Sequence, residues 1–137
     1  VIDVKVFSRS GVRKDKRYKD YVTKETAKIE SVYAIKFDTF VFGLLKEFEE
    51  KNKKIGAICA APYALHKAGV LNQNYTCYPS FEKKIKDDGY QDDKNVVTDN
   101  NVITSRGPAT AIDFALEIVK TLKGDDIYFQ VKTGLLA

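Results

Sequence analysis

Cys59 is the side chain of this sequence whose surroundings most invite chemistry. It lies in Lys54-Ile55-Gly56-Ala57-Ile58-Cys59-Ala60-Ala61-Pro62-Tyr63-Ala64-Leu65. Residues 54–58 predict a short buried strand. Residues 62–68 predict a helix, with Pro62 in its first turn and Gly69 just past its end. Cys59 falls at the junction, crowded by Gly56, Ala57, Ala60 and Ala61. Only small neighbours allow the sharp strand-to-helix turn of a nucleophile elbow. The unpaired N–H groups and positive dipole end of the following helix would favour a thiolate placed there. The carboxyl end of a parallel strand is also where open α/β sheets bind ligands. A buried packing cysteine has the same residue type, so spacing alone leaves both roles open.

The only histidine, His66, follows Cys59 by seven residues in the same predicted helix. Two helical turns separate them by roughly 10 Å along the axis, beyond hydrogen-bond reach. A Cys–His dyad within the chain is therefore not expected, and His66 is read as a helix-surface residue. One His and two separated Cys make no zinc pattern, so neither metal nor cofactor is expected. Cys77 belongs to the short apolar strand Tyr75-Thr76-Cys77-Tyr78, stopped by Pro79, and is read as a packed small side chain.

The elements that would position Cys59 follow from periodicity. Residues 2–7 alternate apolar and polar as a strand does. Residues 8–36 carry no clear pattern. Residues 37–42 predict a strand and residues 43–53 a helix. Val96-Val97-Thr98 and Val102-Ile103-Thr104 flank Asp99-Asn100-Asn101, a hairpin signature. A long helix is expected from about Ala109 to Lys123, with Ile112, Ala115, Leu116, Val119 and Leu122 on one face and Gly124 as its stop. Residues 127–131 predict a closing strand. Strands alternating with helices indicate an α/β sandwich around a mostly parallel sheet.

Composition narrows the classes. The chain of 137 residues has the size of a single domain, and its 8 Gly and 3 Pro exclude collagen-like and low-complexity chains. The longest apolar run, Ile55 to Leu65, is far below the about 20 residues of a spanning helix. No signal-peptide pattern stands at the N-terminus. Two cysteines make no disulfide framework, which points to a reducing, cytoplasmic setting. Residues 1–36 hold 10 Lys/Arg against 5 Asp/Glu, whereas the remainder holds 13 against 14. The basic run Arg13 to Lys19 fits a solvated face better than a nucleic-acid site. The sequence contains no Met, and the predicted strand 37–42 meets the next helix without the about 2–6 linking residues such junctions use. An N-terminal piece and a loop after Phe42 are therefore expected to be absent from the sequence.

Three blocks carry a family resemblance. Gly56-Ala57-Ile58-Cys59-Ala60-Ala61-Pro62 resembles the nucleophile elbow of the ThiJ/PfpI family, in the branch of the Parkinson-linked protein deglycase and its bacterial chaperone relatives. Ile103-Thr104-Ser105-Arg106-Gly107-Pro108-Ala109-Thr110-Ala111-Ile112-Asp113-Phe114-Ala115-Leu116 resembles the segment before that branch's late helix. Tyr78-Pro79-Ser80-Phe81-Glu82-Lys83-Lys84-Ile85 matches a further block. The likeness runs from about Phe37 to Lys123. It implies a flavodoxin-like three-layer sandwich with a mostly parallel sheet and a late β-hairpin, and a homodimer.

The resemblance also implies roles. Cys59 becomes the nucleophile and redox centre, the Ala60 backbone N–H an oxyanion donor, and Tyr78 and Arg106 residues of the pocket. The implied activity is on 2-oxoaldehydes or their protein adducts, with a small carbonyl compound or a glycated protein as partner. The alternative is a non-catalytic redox sensor or chaperone using oxidation of the same cysteine. A cysteine peptidase stands third, because no histidine is placed to serve it. There are departures. The family's acid/base Glu follows its first strand, and no Glu in residues 1–137 can be matched to it. The family's Pro-Gly-Gly turn is represented only by Gly43. Tyr78 stands where some members carry His. Ser105-Arg106-Gly107-Pro108 is no phosphate-binding loop.

Overall fold

Along β1 (Ile55–Ile58) alternate side chains leave on opposite faces, and each face finds a helix layer. Ile55 and Ala57 are buried with Val102, with Leu65 and Ala68 of α3 (Pro62–Ala68), and with Val70. Phe42, Leu45 and Phe48 pack against the same cluster. On the opposite face, a Cβ built on Gly56 would lie 3.1 Å from the Phe114 ring of α5 (Ala111–Lys123). Gly56 thus lets α5 sit close against the strand. Helices on both faces of one sheet make the three-layer α/β arrangement.

The structure is a computed structural model and describes residues 15–85 and 88–137. The chain divides into two compact units, Val1–Phe37 and Asp38–Ala137. In the first, α1 (Lys16–Phe37) has no buried residue. The Asp15 carboxylate accepts the Tyr18 N–H at 2.8 Å, a side-chain cap at the start of α1. The strand expected at residues 2–7 lies outside the described residues.

The second unit contains the sheet, in the order β1-β3-β2. β3 (Val102–Ser105) pairs in parallel with β1 and antiparallel with β2 (Val96–Asp99). The hairpin expected around Asn100 and Asn101 is present, with Asn100 at a φ of 50°. Among the described strands, β1 and β3 pair in parallel, and the antiparallel pairing is that of the late hairpin, as the flavodoxin-like fold has it. The α/β sandwich itself is as expected.

Three expected strands are absent. Phe37 ends α1, and Asp38–Phe42 forms a stretch of π-helix leading into α2 (Gly43–Glu50). Aromatic and β-branched residues suggested a strand there. The period-three spacing of Phe42, Leu45 and Phe48, which reach the core together, favours a helix instead. The strand-to-helix junction expected at Phe42 therefore does not occur. Residues 127–131 lie in α6 (Asp125–Gly134), packed on α5. Asp125 and Asp126 in its first turn and Lys132 in its last complement the helix dipole. Residues 75–78 form no ladder beyond one bridge, Tyr75 to Tyr90. Their backbone groups bond to side chains and to the elbow. The predicted helices 43–53 and 109–123 are slightly shorter, because Pro108–Thr110 is a 3-10 turn and α2 ends at Glu50.

Candidate functional site

The turn at Cys59 is held by its neighbours in three directions. The Cys59 N–H donates to the Ser105 carbonyl at 2.9 Å, extending the β1–β3 pairing by one residue. The Ala61 N–H returns to the Ile58 carbonyl at 3.1 Å. The Tyr78 N–H donates to the Cys59 carbonyl at 2.9 Å. Between these ties Cys59 takes a φ of 65°. A left-handed conformation in a non-glycine residue costs on the order of 1–3 kcal/mol and persists only where the surroundings impose it. This is the strained strand-to-helix corner that a nucleophile elbow requires.

The Cys59 side chain is partly exposed. Among the described residues, no hydrogen bond takes up the Ala60 N–H, the donor nearest the elbow sulfur in sequence. Such a free N–H can stabilise an oxygen that gains negative charge beside Cys59.

Ser105 is a positioning residue that sequence reasoning did not single out. Its Oγ donates to the Asn95 carbonyl at 2.9 Å and meets the Thr110 hydroxyl at 2.6 Å. Thr110 in turn accepts the Gly107 N–H at 3.1 Å, and its one proton is shared between the Ser105 Oγ and the Gly107 carbonyl 2.9 Å away. These buried hydroxyls fix the 105–110 turn, and through the Ser105 carbonyl they fix Cys59. The signal in the sequence was the hydroxyl pair flanking Arg106-Gly107-Pro108.

Tyr78 and Arg106 line one cavity of about 250 Å³, together with Pro79, Asn95, Gly107 and Pro108. The Tyr78 ring lies over Gly107, where a Cβ would come within 3.2 Å of it. Arg106 donates from its guanidinium to the Asp92 carbonyl. His66 lies in the last turn of α3, its ring 6.5 Å from that of Tyr63.

Cys77 is wholly buried, in a small core with Tyr75 and Ile85 against which Tyr63, Phe81 and Tyr90 pack. Burial pushes its thiol up to about 11, the Glu82 carboxylate adds to the rise, and Arg106 opposes it. Burial likewise raises the Tyr90 phenol, with Cys77 adding to it. Glu82 opens the short helix α4 (Glu82–Ile85), and its Oε2 is buried without a hydrogen-bond partner among the described residues. Sequence reasoning passed over Glu82, because nothing in Phe81-Glu82-Lys83 marks a buried carboxylate. Among the described residues, no three His, Cys, Asp or Glu side chains cluster to hold a metal ion.

The profile of the DJ-1/PfpI family matches residues 21–121. Protein dj-1beta of Drosophila melanogaster is 45% identical over 100 residues, covering 72% of this chain and 54% of that protein. Its crystal structure superposes with a TM-score of 0.67 over 71% of this chain and 53% of that chain. Glutathione-independent glyoxalase DJR-1.2 of Caenorhabditis elegans is 44% identical over 84 residues, covering 61% of this chain and 45% of that protein. Glutathione-independent glyoxalase DJ-1 of Schizosaccharomyces pombe is 38% identical over 98 residues, covering 70% and 51%. The chain spans about half the length of these relatives.

Proposed function

The chain belongs to the DJ-1/PfpI family, and on that footing we propose that it acts on 2-oxoaldehydes or their protein adducts through Cys59. The observation that carries this reading is the strained elbow, with Cys59 at a φ of 65° at the end of a parallel strand. The names of the worm and fission-yeast relatives supply the reaction class.

For methylglyoxal the chemistry runs through the sulfur. The Cys59 thiolate attacks the aldehyde carbon, and the carbonyl electron pair moves to oxygen, giving a hemithioacetal after protonation. The Ala60 N–H donates to that oxygen while it carries charge. A base then moves the proton from the former aldehyde carbon to its neighbour, and water releases the hydroxyacid from the thioester so formed. No residue of this chain is assigned as that base. Tyr78 and Arg106 share a cavity wall that Cys59 and Ala60 do not line, and Tyr78 joins the proposed pocket through its bond to the Cys59 carbonyl. A homodimer and a cytoplasmic setting complete the reading.

The test follows aldehyde loss and hydroxyacid formation with the protein and its Cys59→Ser variant. Turnover by the unaltered protein and a loss of at least about 100-fold in the variant is the expected result, given what a covalent nucleophile contributes. Equal rates in both would remove Cys59 from the reaction.

The sensor reading uses the same partly exposed sulfur. It predicts that mild peroxide adds oxygen to Cys59 while the aldehyde is left unconsumed. A cysteine peptidase ranks below both, since His66 lies at the far end of α3 from the elbow.

A further inference from the structure

The segment that carries the second cysteine is tied to the first. The Tyr78 N–H bonds the Cys59 carbonyl at 2.9 Å, so the peptide unit following Cys77 is docked directly on the elbow. The covalent spans from the two Cα atoms to this one hydrogen bond are short, so the Cys59 and Cys77 Cα atoms lie within about 8 Å of each other. A disulfide spans Cα separations of about 4.4–6.8 Å. Cys77 is fixed on this path from several sides. The Tyr75 N–H donates to the Gly89 carbonyl at 3.1 Å, and the Thr76 N–H to the Thr104 hydroxyl at 2.9 Å. Cys77 also packs in the small core that receives Tyr63, from the first turn of the helix that Cys59 precedes.

We propose that Cys77 is a resolving cysteine, which closes an intramolecular disulfide with Cys59 once peroxide has oxidised Cys59 to the sulfenic acid. The proposal rests on the reading that Cys59 is the reactive sulfur, and adds a fate for it that neither the aldehyde chemistry nor oxygen addition contains.

The step balances with hydrogen peroxide as the oxidant. One peroxide oxygen is transferred to the Cys59 sulfur, giving the sulfenic acid, and the other leaves as water. The Cys77 sulfur then attacks the Cys59 sulfur, the S–O bond breaks, and the departing oxygen takes the Cys77 proton and leaves as a second water. No substrate has to reach buried Cys77 from solvent, because its reaction partner is inside the molecule. The groups that bear on the Cys77 proton are Glu82 from α4, Tyr90 from the bridged segment, Arg106 from the turn after β3, and Cys59 itself. The raised thiol makes the attack slow near neutrality and faster in mild alkali. The disulfide would protect Cys59 from irreversible oxidation, and a small dithiol would restore both thiols.

The experiment treats the full chain with two molar equivalents of peroxide, blocks free thiols, and reads intact mass and the non-reduced peptide map. The expected result is a species lacking two hydrogens, with one cross-linked peptide pair containing Cys59 and Cys77. In Cys77→Ser, Cys59 should instead gain two oxygens, several-fold faster than in the unaltered protein. Accumulation of oxygen on Cys59 with Cys77 still free, at the same rate in both proteins, would overturn the resolving role alone. A Cys59 that neither gains oxygen nor cross-links would overturn the resolving role together with the reactivity it rests on. If Cys77→Ser fails to fold, the cross-linked peptide in the unaltered protein decides by its presence or absence.

Discussion

Burial first, and the Glu82 carboxylate second, hold the Cys77 thiol protonated up to about 11, against an ordinary value of 9.0. The sign of the consequence follows from linkage. As pH rises past the unfolded value, the unfolded chain releases this proton while the folded chain keeps it. Stability from Cys77 is therefore complete below about pH 9 and falls away by about pH 11, by roughly 2–3 kcal/mol. The difference in urea midpoint between the unaltered protein and Cys77→Ala should shrink between about pH 8 and about pH 10.5. Glu82→Gln removes one charge opposing the thiolate, so thiolate absorbance should appear at lower pH than in the unaltered protein. An unmoved titration would mean that burial alone sets the shift. At this scale the sequence was informative about Cys59, because an elbow needs small neighbours and these are written beside it. It was silent about Glu82, whose burial is decided by distant residues that fold around Cys77.

Two elements carry the position of the elbow, the sheet pair β1–β3 and the turn after β3. Gly56 admits the Phe114 ring to the β1 surface, with a built Cβ at 3.1 Å. Gly56→Val should cost about 1–3 kcal/mol in unfolding free energy by overpacking this layer. Ser105→Ala leaves the buried Thr110 hydroxyl without one partner, and should cost about 1–3 kcal/mol while lowering turnover through a looser Cys59. Denaturant melts beside kinetics would separate the two effects, and Ser105→Thr should restore part of both. β1, α3, the hairpin and α5 could be read from the sequence because local pattern and tertiary packing agree there. Residues 38–42 and 127–131 could not. Their aromatic and β-branched residues favour strand locally, whereas the spacing of Phe42, Leu45 and Phe48 and the acidic start of α6 favour helix. In both places the second set of forces prevails.

For the molecule as a whole, family membership is firm over residues 21–121, while the chain covers about half of each relative's length. No helix among the described residues is long and apolar enough to cross a membrane. The proposed homodimer predicts a sedimenting species of twice the 15.5 kDa chain mass, and a single-chain mass at all concentrations would contradict it. The family resemblance could be read from three sequence blocks and the α/β class from local pattern, whereas the helical state of residues 38–42 and 127–131 could not.

The central claim is that the Cys59 sulfur performs the aldehyde chemistry. The most direct measurement alkylates the native protein to graded extents with iodoacetamide, maps the labelled cysteine, and records methylglyoxal consumption on the same samples. Consumption should fall in proportion to the labelled fraction of Cys59, while buried Cys77 stays unlabelled. Consumption that survives complete labelling of Cys59 would contradict the account.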